Sequence, residues 1–244
     1  MSRPIRIQNK SRGKLTVCAL VVGAVLLTAG PVSARDAAVS ALQSAERSCA
    51  AGNGAQCLNL GDLRRDGRGY PRDYKEAAFW YAQGCAAGNA ASCANLGFFH
   101  QAGLGVKISL PSSVAYLKKA CTLKDAPACA ALGRLAEKGQ GLELDEDYAL
   151  YLYKRACRLG HLGGCTGVAR YYLDSGVGRS AEAAALLDKV CLGGHGEACN
   201  LLGSWYEQQG LSDAAQLGEL YAKACRLHSL QGCVNQARLN KKAP

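Results

Sequence analysis

The stretch Gly84-Cys85-Ala86-Ala87-Gly88-Asn89-Ala90-Ala91-Ser92-Cys93-Ala94-Asn95-Leu96-Gly97 decides the fold. Two cysteines stand eight positions apart, with a glycine three residues after the first and another four residues after the second. The same unit returns as Cys49 with Cys57, Cys121 with Cys129, Cys157 with Cys165, Cys191 with Cys199 and Cys225 with Cys233. Successive first cysteines are separated by 36, 36, 36, 34 and 34 residues, and only Cys18 among the 13 cysteines stands outside the pattern. A fixed period of this length marks stacked two-element repeats.

The spacing fixes how the chain turns. Residues eight apart in one helix lie about 12 Å apart, whereas a disulfide needs Cα atoms roughly 4.4–6.8 Å apart. If the pairs are bonded, the chain reverses between each pair of cysteines. Gly52, Gly88, Gly160 and Gly194 sit where a helix ends in a left-handed residue, while Lys124 and His228 hold that place in the other two units. Each pair therefore reads as a staple from the end of one helix to the start of the next. Local pairing alone gives every unit the same bond. Zinc prefers cysteines two to four residues apart, and seven intervening residues do not suit it. No metal and no cofactor is expected.

Upstream of the repeats, Arg3, Arg6, Lys10, Arg12 and Lys14 precede an apolar run from Leu15 to Ala29, followed by Val32-Ser33-Ala34. That order reads as a secretory signal over residues 1–34. The apolar run is shorter than the roughly 20 residues of a membrane span, so no membrane anchor is expected after its removal. The whole chain carries a formal +10. Five of those charges lie in the first 34 residues, leaving 10 − 5 = +5 on the mature chain. No Lys/Arg cluster interleaved with aromatics appears, which argues against a nucleic-acid partner. An even set of cysteines in an exported chain points to a secreted or periplasmic protein.

The remainder, 35–244, reads as a single α/α repeat domain. It has a capping helix over 36–51, five helix pairs over about 52–225, and a last helix within 226–244. Within a pair, helix A follows the second cysteine and helix B precedes the next first cysteine. Asp73, Ser109, Asp145 and Asp213 stand where helix B needs a cap. Counting from the second cysteine, position +3 is Leu60, Leu96, Leu132, Val168 and Leu202, and position +4 is Gly61, Gly97, Gly133, Ala169, Gly203 and Ala237. Glycine inside a helix costs about 1 kcal/mol against alanine, so its recurrence predicts close approach of a neighbouring helix backbone. Four before each first cysteine come Tyr81, Leu117, Tyr153, Leu187 and Tyr221 as filling bulk. The Gly-x-Gly loops at Gly67 and Gly69, Gly103 and Gly105, and Gly139 and Gly141 read as turns rather than phosphate cradles, since no strand precedes them. That loop is expected to be lost in units four and five, where the period shortens.

The pattern Ala-Cys…Gly…Cys…Leu-Gly…Gly-x-Gly…Ala…Tyr…Ala-Cys resembles the Sel-one-like repeat. The version with seven residues between cysteines resembles the Helicobacter cysteine-rich protein family, over about 37–240. The resemblance implies an all-α, tetratricopeptide-like solenoid with a right-handed superhelix. It also implies two functions: an adaptor that binds a protein or peptide, or a penicillin-binding protein with slow β-lactamase activity. The second would make a β-lactam or peptidoglycan-like small molecule the ligand. Ser-x-x-Lys, which β-lactamase chemistry of the serine type uses, occurs only as Ser11-Arg12-Gly13-Lys14 inside the signal. No catalytic residue can therefore be named, and a hydrolase rests on resemblance alone.

For the adaptor, analogy with other α/α arrays puts helix A on the concave side. Positions +2, +5 and +9 are expected opposite the apolar stripe. The candidate partner-binding residues are Asn59, Asp62 and Asp66 in unit one, Asn95 and Phe98 in unit two, and Arg134 and Lys138 in unit three. Arg170 and Asp174 follow in unit four, and Ser204 and Gln208 in unit five. Acidic residues in unit one and basic ones in unit three would orient a bound peptide. His161 and His195 lie four before a second cysteine, where Asn53, Asn89 and Asp125 stand in earlier units, so they read as helix-start residues.

Overall fold

The computed structural model describes residues 34–69, 71–176 and 178–242. The signal expected over 1–34 lies outside these residues except for its last position. The contacts divide the chain into Met1–Val39 and Ser40–Pro244. All that follows concerns the second unit, apart from the first residues of α1.

Every described element is a helix. They run α1 (Ala34–Ala50), α2 (Gly54–Asp66), α3 (Tyr74–Ala86), α4 (Ala90–Ala102), α5 (Leu110–Thr122) and α6 (Ala126–Glu137). Then come α7 (Glu146–Arg158), α8 (Leu162–Asp174), α9 (Ser180–Leu192), α10 (Gly196–Gln209), α11 (Ala214–Arg226) and α12 (Leu230–Lys242). Even-numbered helices are the A helices of the repeat and odd-numbered ones the B helices. The result is an all-α repeat solenoid.

Six disulfides staple the last turn of each B helix to the first turn of the next A helix. Cys49 is bonded to Cys57, Cys85 to Cys93, and Cys121 to Cys129. Cys157 is bonded to Cys165, Cys191 to Cys199, and Cys225 to Cys233. All twelve cysteines thus pair locally, as their spacing predicts, with Cα atoms 4.5–4.9 Å apart. Of the second cysteines, Cys57, Cys93, Cys129, Cys165 and Cys199 are buried, and Cys233 in α12 is half-buried.

The turn between the paired cysteines needs a left-handed residue three places after the first. Gly52 and Gly194 take it at φ 91°, while Lys124 and His228 hold φ 68° and 63° without glycine's freedom. The helix starts follow from capping chemistry. Asp73, Ser109, Asp145 and Asp213 each accept the backbone N–H three residues on. Asn53, Asn89, Asp125 and His161 do the same for A helices. Each such cap stabilises its helix by about 1 kcal/mol.

Packing explains the small residue at +4 differently from the expectation. What lies over Gly61, Gly133 and Gly203 is the ring of Tyr81, Tyr153 and Tyr221 respectively, and over Gly97 it is Leu117. At Gly61, Gly133 and Gly203 the buried ring four before the first cysteine takes the space, and at Gly97 the Leu117 side chain takes it together with its backbone nitrogen. The two recurring positions are the two halves of one contact. The +3 residues Leu60, Leu96, Leu132, Val168 and Leu202 are buried beside it. At +3 in α12 stands Gln236, half-buried, where the other units carry an apolar residue.

One loop expectation is corrected. Gly176 and Gly178 keep the Gly-x-Gly turn in unit four with φ 63° and 71°. The unit shortens instead between that turn and Ser180, the first residue of α9. The turn glycine sets chain reversal, while the length of the following segment sets the period.

The two helix rows are not equivalent. The A helices α2 and α4, α6 and α8, α8 and α10, and α10 and α12 pack on one another, whereas α4 and α6, like successive B helices, are in little or no direct contact. The B helices are linked by long side chains instead. Lys119 Nζ donates to Cys85 O at 2.7 Å, and Arg155 donates to Cys121 O at 3.1 Å. Each places a cation at the negative end of the preceding B helix.

Candidate functional site: the inner face of the A helices

The exposed residues of the A helices, which pack on one another as α2 with α4 and as α6 through α12, make up the candidate surface. The candidate residues behave on it in three ways.

Those of the first unit are already engaged. Asp62 accepts a 2.7 Å hydrogen bond from the Tyr81 hydroxyl and pairs with Arg65 at 3.0 Å. Asp66 takes the guanidiniums of Arg65 and Arg68, whose hydrogen bonds hold its carboxyl well below the usual carboxylate range. The acidity expected of unit one is thus neutralised where it stands. Asn59 alone of this trio is exposed.

Arg170 and Ser204 belong to a structural ladder that sequence reasoning missed. Tyr153 donates its hydroxyl to Glu137 at 2.8 Å, and Arg170 of the next unit reaches both oxygens of Glu137 at 2.8 Å. Two repeats on, Tyr221 donates to Glu207 at 2.8 Å, and Arg238 pairs with Glu207. Ser204 stands 3.5 Å from the same Tyr221 hydroxyl. Burial first, and then the neighbouring carboxylate, push the Tyr81 and Tyr153 phenols upward, so each remains a neutral donor. The signal was present as a glutamate at +8 followed by an arginine at +5 of the next unit. Arg170 and Glu137 are about one-third exposed, so their ion pair contributes no more than about 1 kcal/mol. The buried phenol matters more. Tyr153→Phe is expected to lower stability by about 1–2 kcal/mol, as loss of a hydrogen bond to a charged group does. Urea denaturation measures it, and an unchanged midpoint would show the bond to be idle.

The third group lies between these anchored ends. Arg134 and Lys138 are exposed, Asn95 is half-buried, and Phe98 packs one side on the core while remaining partly accessible. Gln208 and Asp174 are exposed at the ends of α10 and α8. The +2 row does not stay outside throughout, because Ala131 and Gly167 are buried, the latter under the Tyr153 ring.

Beside the ladder, α6, α7 and α8 enclose a cavity of about 190 Å³ lined by Glu137, Glu146, Tyr153, Tyr171 and Asp174. Its Tyr171 hydroxyl donates to Asp147 at 3.2 Å. Among the described residues, no group of three or more His, Cys, Asp and Glu side chains is placed to hold a metal ion. The histidines sit at structural positions. His100 stacks on Tyr116 with ring centroids 5.4 Å apart, and His228 holds its left-handed turn. His161 and His195 begin α8 and α10.

Comparison with known proteins places this geometry in a repeat class. The Sel1 repeat family matches residues 57–89, 90–125 and 126–161. A Sel1 repeat protein from Oxalobacter formigenes is similar in structure, at TM-score 0.69 and 22% identity, over 82% of this chain and 97% of that one. A protective antigen of uropathogenic Escherichia coli with the SLR fold is similar at TM-score 0.72 and 21% identity, over 83% of this chain and 45% of its own. Cysteine-rich protein B of Helicobacter pylori aligns at TM-score 0.44 and 26% identity, over 56% of this chain and 98% of that one. No curated protein matches the sequence.

Proposed function

We propose that this Sel1-repeat solenoid is an exported scaffold that holds an extended, acidic segment of a protein partner on the inner face of its A helices. A scaffold fold of this class accords with a role in protein interaction. Six disulfides support an oxidising, extracytoplasmic compartment. The observation that supports the choice of surface is the direct packing of A helices on one another, α2 with α4 and α6 through α12, which the B helices do not share. Within that surface, Asp62, Asp66, Arg170 and Ser204 serve the fold. The contact to a partner falls on Asn59, Asn95, Phe98, Arg134 and Lys138. Asparagine amides suit a ligand's backbone, the accessible part of Phe98 suits an apolar side chain, and the two cations suit carboxylates.

A random-peptide display library panned against the oxidised chain tests this. Enriched peptides are expected to be rich in Asp and Glu beside an aromatic or aliphatic residue. Arg134→Glu combined with Lys138→Glu should reverse the charge preference, and Phe98→Ala should weaken capture about tenfold, as loss of an anchor does. Arg170→Glu is unsuitable as a probe, because it breaks the bridge to Glu137. Enrichment that ignores both sets of substitutions would remove this face as the binding surface.

A further inference from the structure

We infer that the joint between the fourth and fifth repeats is built to loosen in acid, with the His161 imidazole as the proton acceptor. Units one to three start their A helices with Asn53, Asn89 and Asp125, whereas units four and five use His161 and His195. The exchange alters chemistry without altering place. His161 Nδ1 accepts the backbone N–H of Gly164 at 3.0 Å, so in this state it carries a lone pair there and its proton on Nε2. A proton added to Nδ1 would set donor against donor and remove the cap of α8.

The neighbouring repeat is coupled to that cap. Thr166 is buried, and its hydroxyl donates to Leu162 O at 3.1 Å. Its oxygen can then accept from His195 Nδ1–H at 3.1 Å, which ties the start of α10 to α8. The two imidazoles flank Gly163: a methyl group there would lie 3.0 Å from His161 Cε1 and 3.5 Å from His195 Nε2. Protonation of His161 therefore sets a cation beside the second imidazole and at the positive end of α8. The same assignment excludes a bridging metal. His161 cannot ligate through Nε2 while Nδ1 serves as the cap acceptor.

The charged groups facing His161 come from two other helices. Arg134 of α6 and His195 at the start of α10 oppose its protonation, and Asp125 at the start of α6 favours it. Burial is the largest cause and acts in the same direction as the first two, so the imidazole is held below its ordinary value. The sign follows. The unfolded chain binds this proton more readily than the folded one. The cap's contribution is complete above the usual histidine value of about 6.5 and is lost as pH falls through the lower folded value.

Amide hydrogen exchange on the oxidised full chain at about pH 7.5 and about pH 5, on either side of the usual histidine value and corrected for intrinsic rates, reads the joint directly. Protection of residues 161–167 is expected to fall roughly tenfold in acid, while the Asn89 and Asp125 starts hold theirs. His161→Asn keeps a cap acceptor that takes no proton and should make the segment pH-independent. His195→Asn should leave the loss in place but move it to higher pH. A wild-type segment with unchanged protection, or a loss that persists in His161→Asn or disappears in His195→Asn, overturns the inference. Imidazole nitrogen shifts of the wild-type protein test it without substitution. They should report an Nε2–H tautomer for His161 titrating below the usual value, and an Nδ1–H tautomer or a raised value contradicts it.

Discussion

Reduction of the six staples is expected to abolish the cooperative melting of the array. One staple closes a loop of about nine residues and contributes on the order of 2.5 kcal/mol in the chain-entropy account. Six of them rival the roughly 5–15 kcal/mol that stabilises a whole domain. Each helix pair is small, and the small +4 residues leave the core dependent on neighbouring units. Removal of a single central staple by Cys121→Ala together with Cys129→Ala should lower the melting temperature by roughly 5–10 °C. The damage should stay near α5, α6 and the helices they touch, because in a stacked array each unit reads only its neighbours. Calorimetry with and without a thiol reductant, followed by hydrogen exchange on the double variant, checks both scales. A reduced protein that melts at an unchanged temperature would falsify the dependence on staples.

The second large effect is expected from adding one methyl group. On an ordinary helix Gly→Ala stabilises by about 1 kcal/mol. At Gly133 the new carbon would lie 2.8 Å from Tyr153 Cε1 and 3.0 Å from Cδ1. The ring is only 3% exposed and its hydroxyl is held by Glu137, so it cannot swing aside. Gly133→Ala should therefore destabilise by about 2 kcal/mol, in the range of overpacked cores. The chain carries its own control. Where +4 is Ala169, the facing B-helix residue is Leu187 rather than tyrosine, and both are fully buried. Adding Tyr153→Leu to Gly133→Ala should cost less than the sum of the two single changes by about 1 kcal/mol. A Gly133→Ala protein more stable than its parent would show that the ring can give way.

How far the sequence could be read depends on the reach of each interaction. Staples, turns and caps join residues three to eight apart. Spacing alone located the bonds from Cys49 to Cys57 through Cys225 to Cys233, the left-handed Lys124 and His228, and the caps at Asp73, Ser109, Asp145 and Asp213. The glycine at +4 was visible, yet its cause was not. Spacing shows that something approaches Gly61 but not whether it is a backbone or the Tyr81 ring. The Glu137–Arg170 bridge spans 33 positions and depends on how one A helix is rotated against the next. For that reason Arg170 and Asp62 read as free face residues in sequence and prove to be braces in the structure. Arg134 and Phe98 keep their place as candidates because no brace occupies them in the same way. In unit four the shortened period reads as loss of the Gly-x-Gly loop, whereas Gly176 and Gly178 keep their left-handed conformations and the segment after them is the shorter one.

The position of the staples also governs how the molecule bears tension. Eight peptide steps separate the two cysteines of each pair, about 27 Å of drawn-out chain at ~3.4 Å per residue. The bond keeps their Cα atoms 4.5–4.9 Å apart instead. Pulled from its ends, each repeat thus has roughly 22 Å of slack that force cannot release. The slack lies in the B-to-A turns, so stretching is confined to the helices and the A-to-B loops, where no covalent tie crosses. A tethered partner would feel a stiff, short spring in oxidising surroundings. The same chain would lengthen in six nearly equal increments as its disulfides were opened one by one.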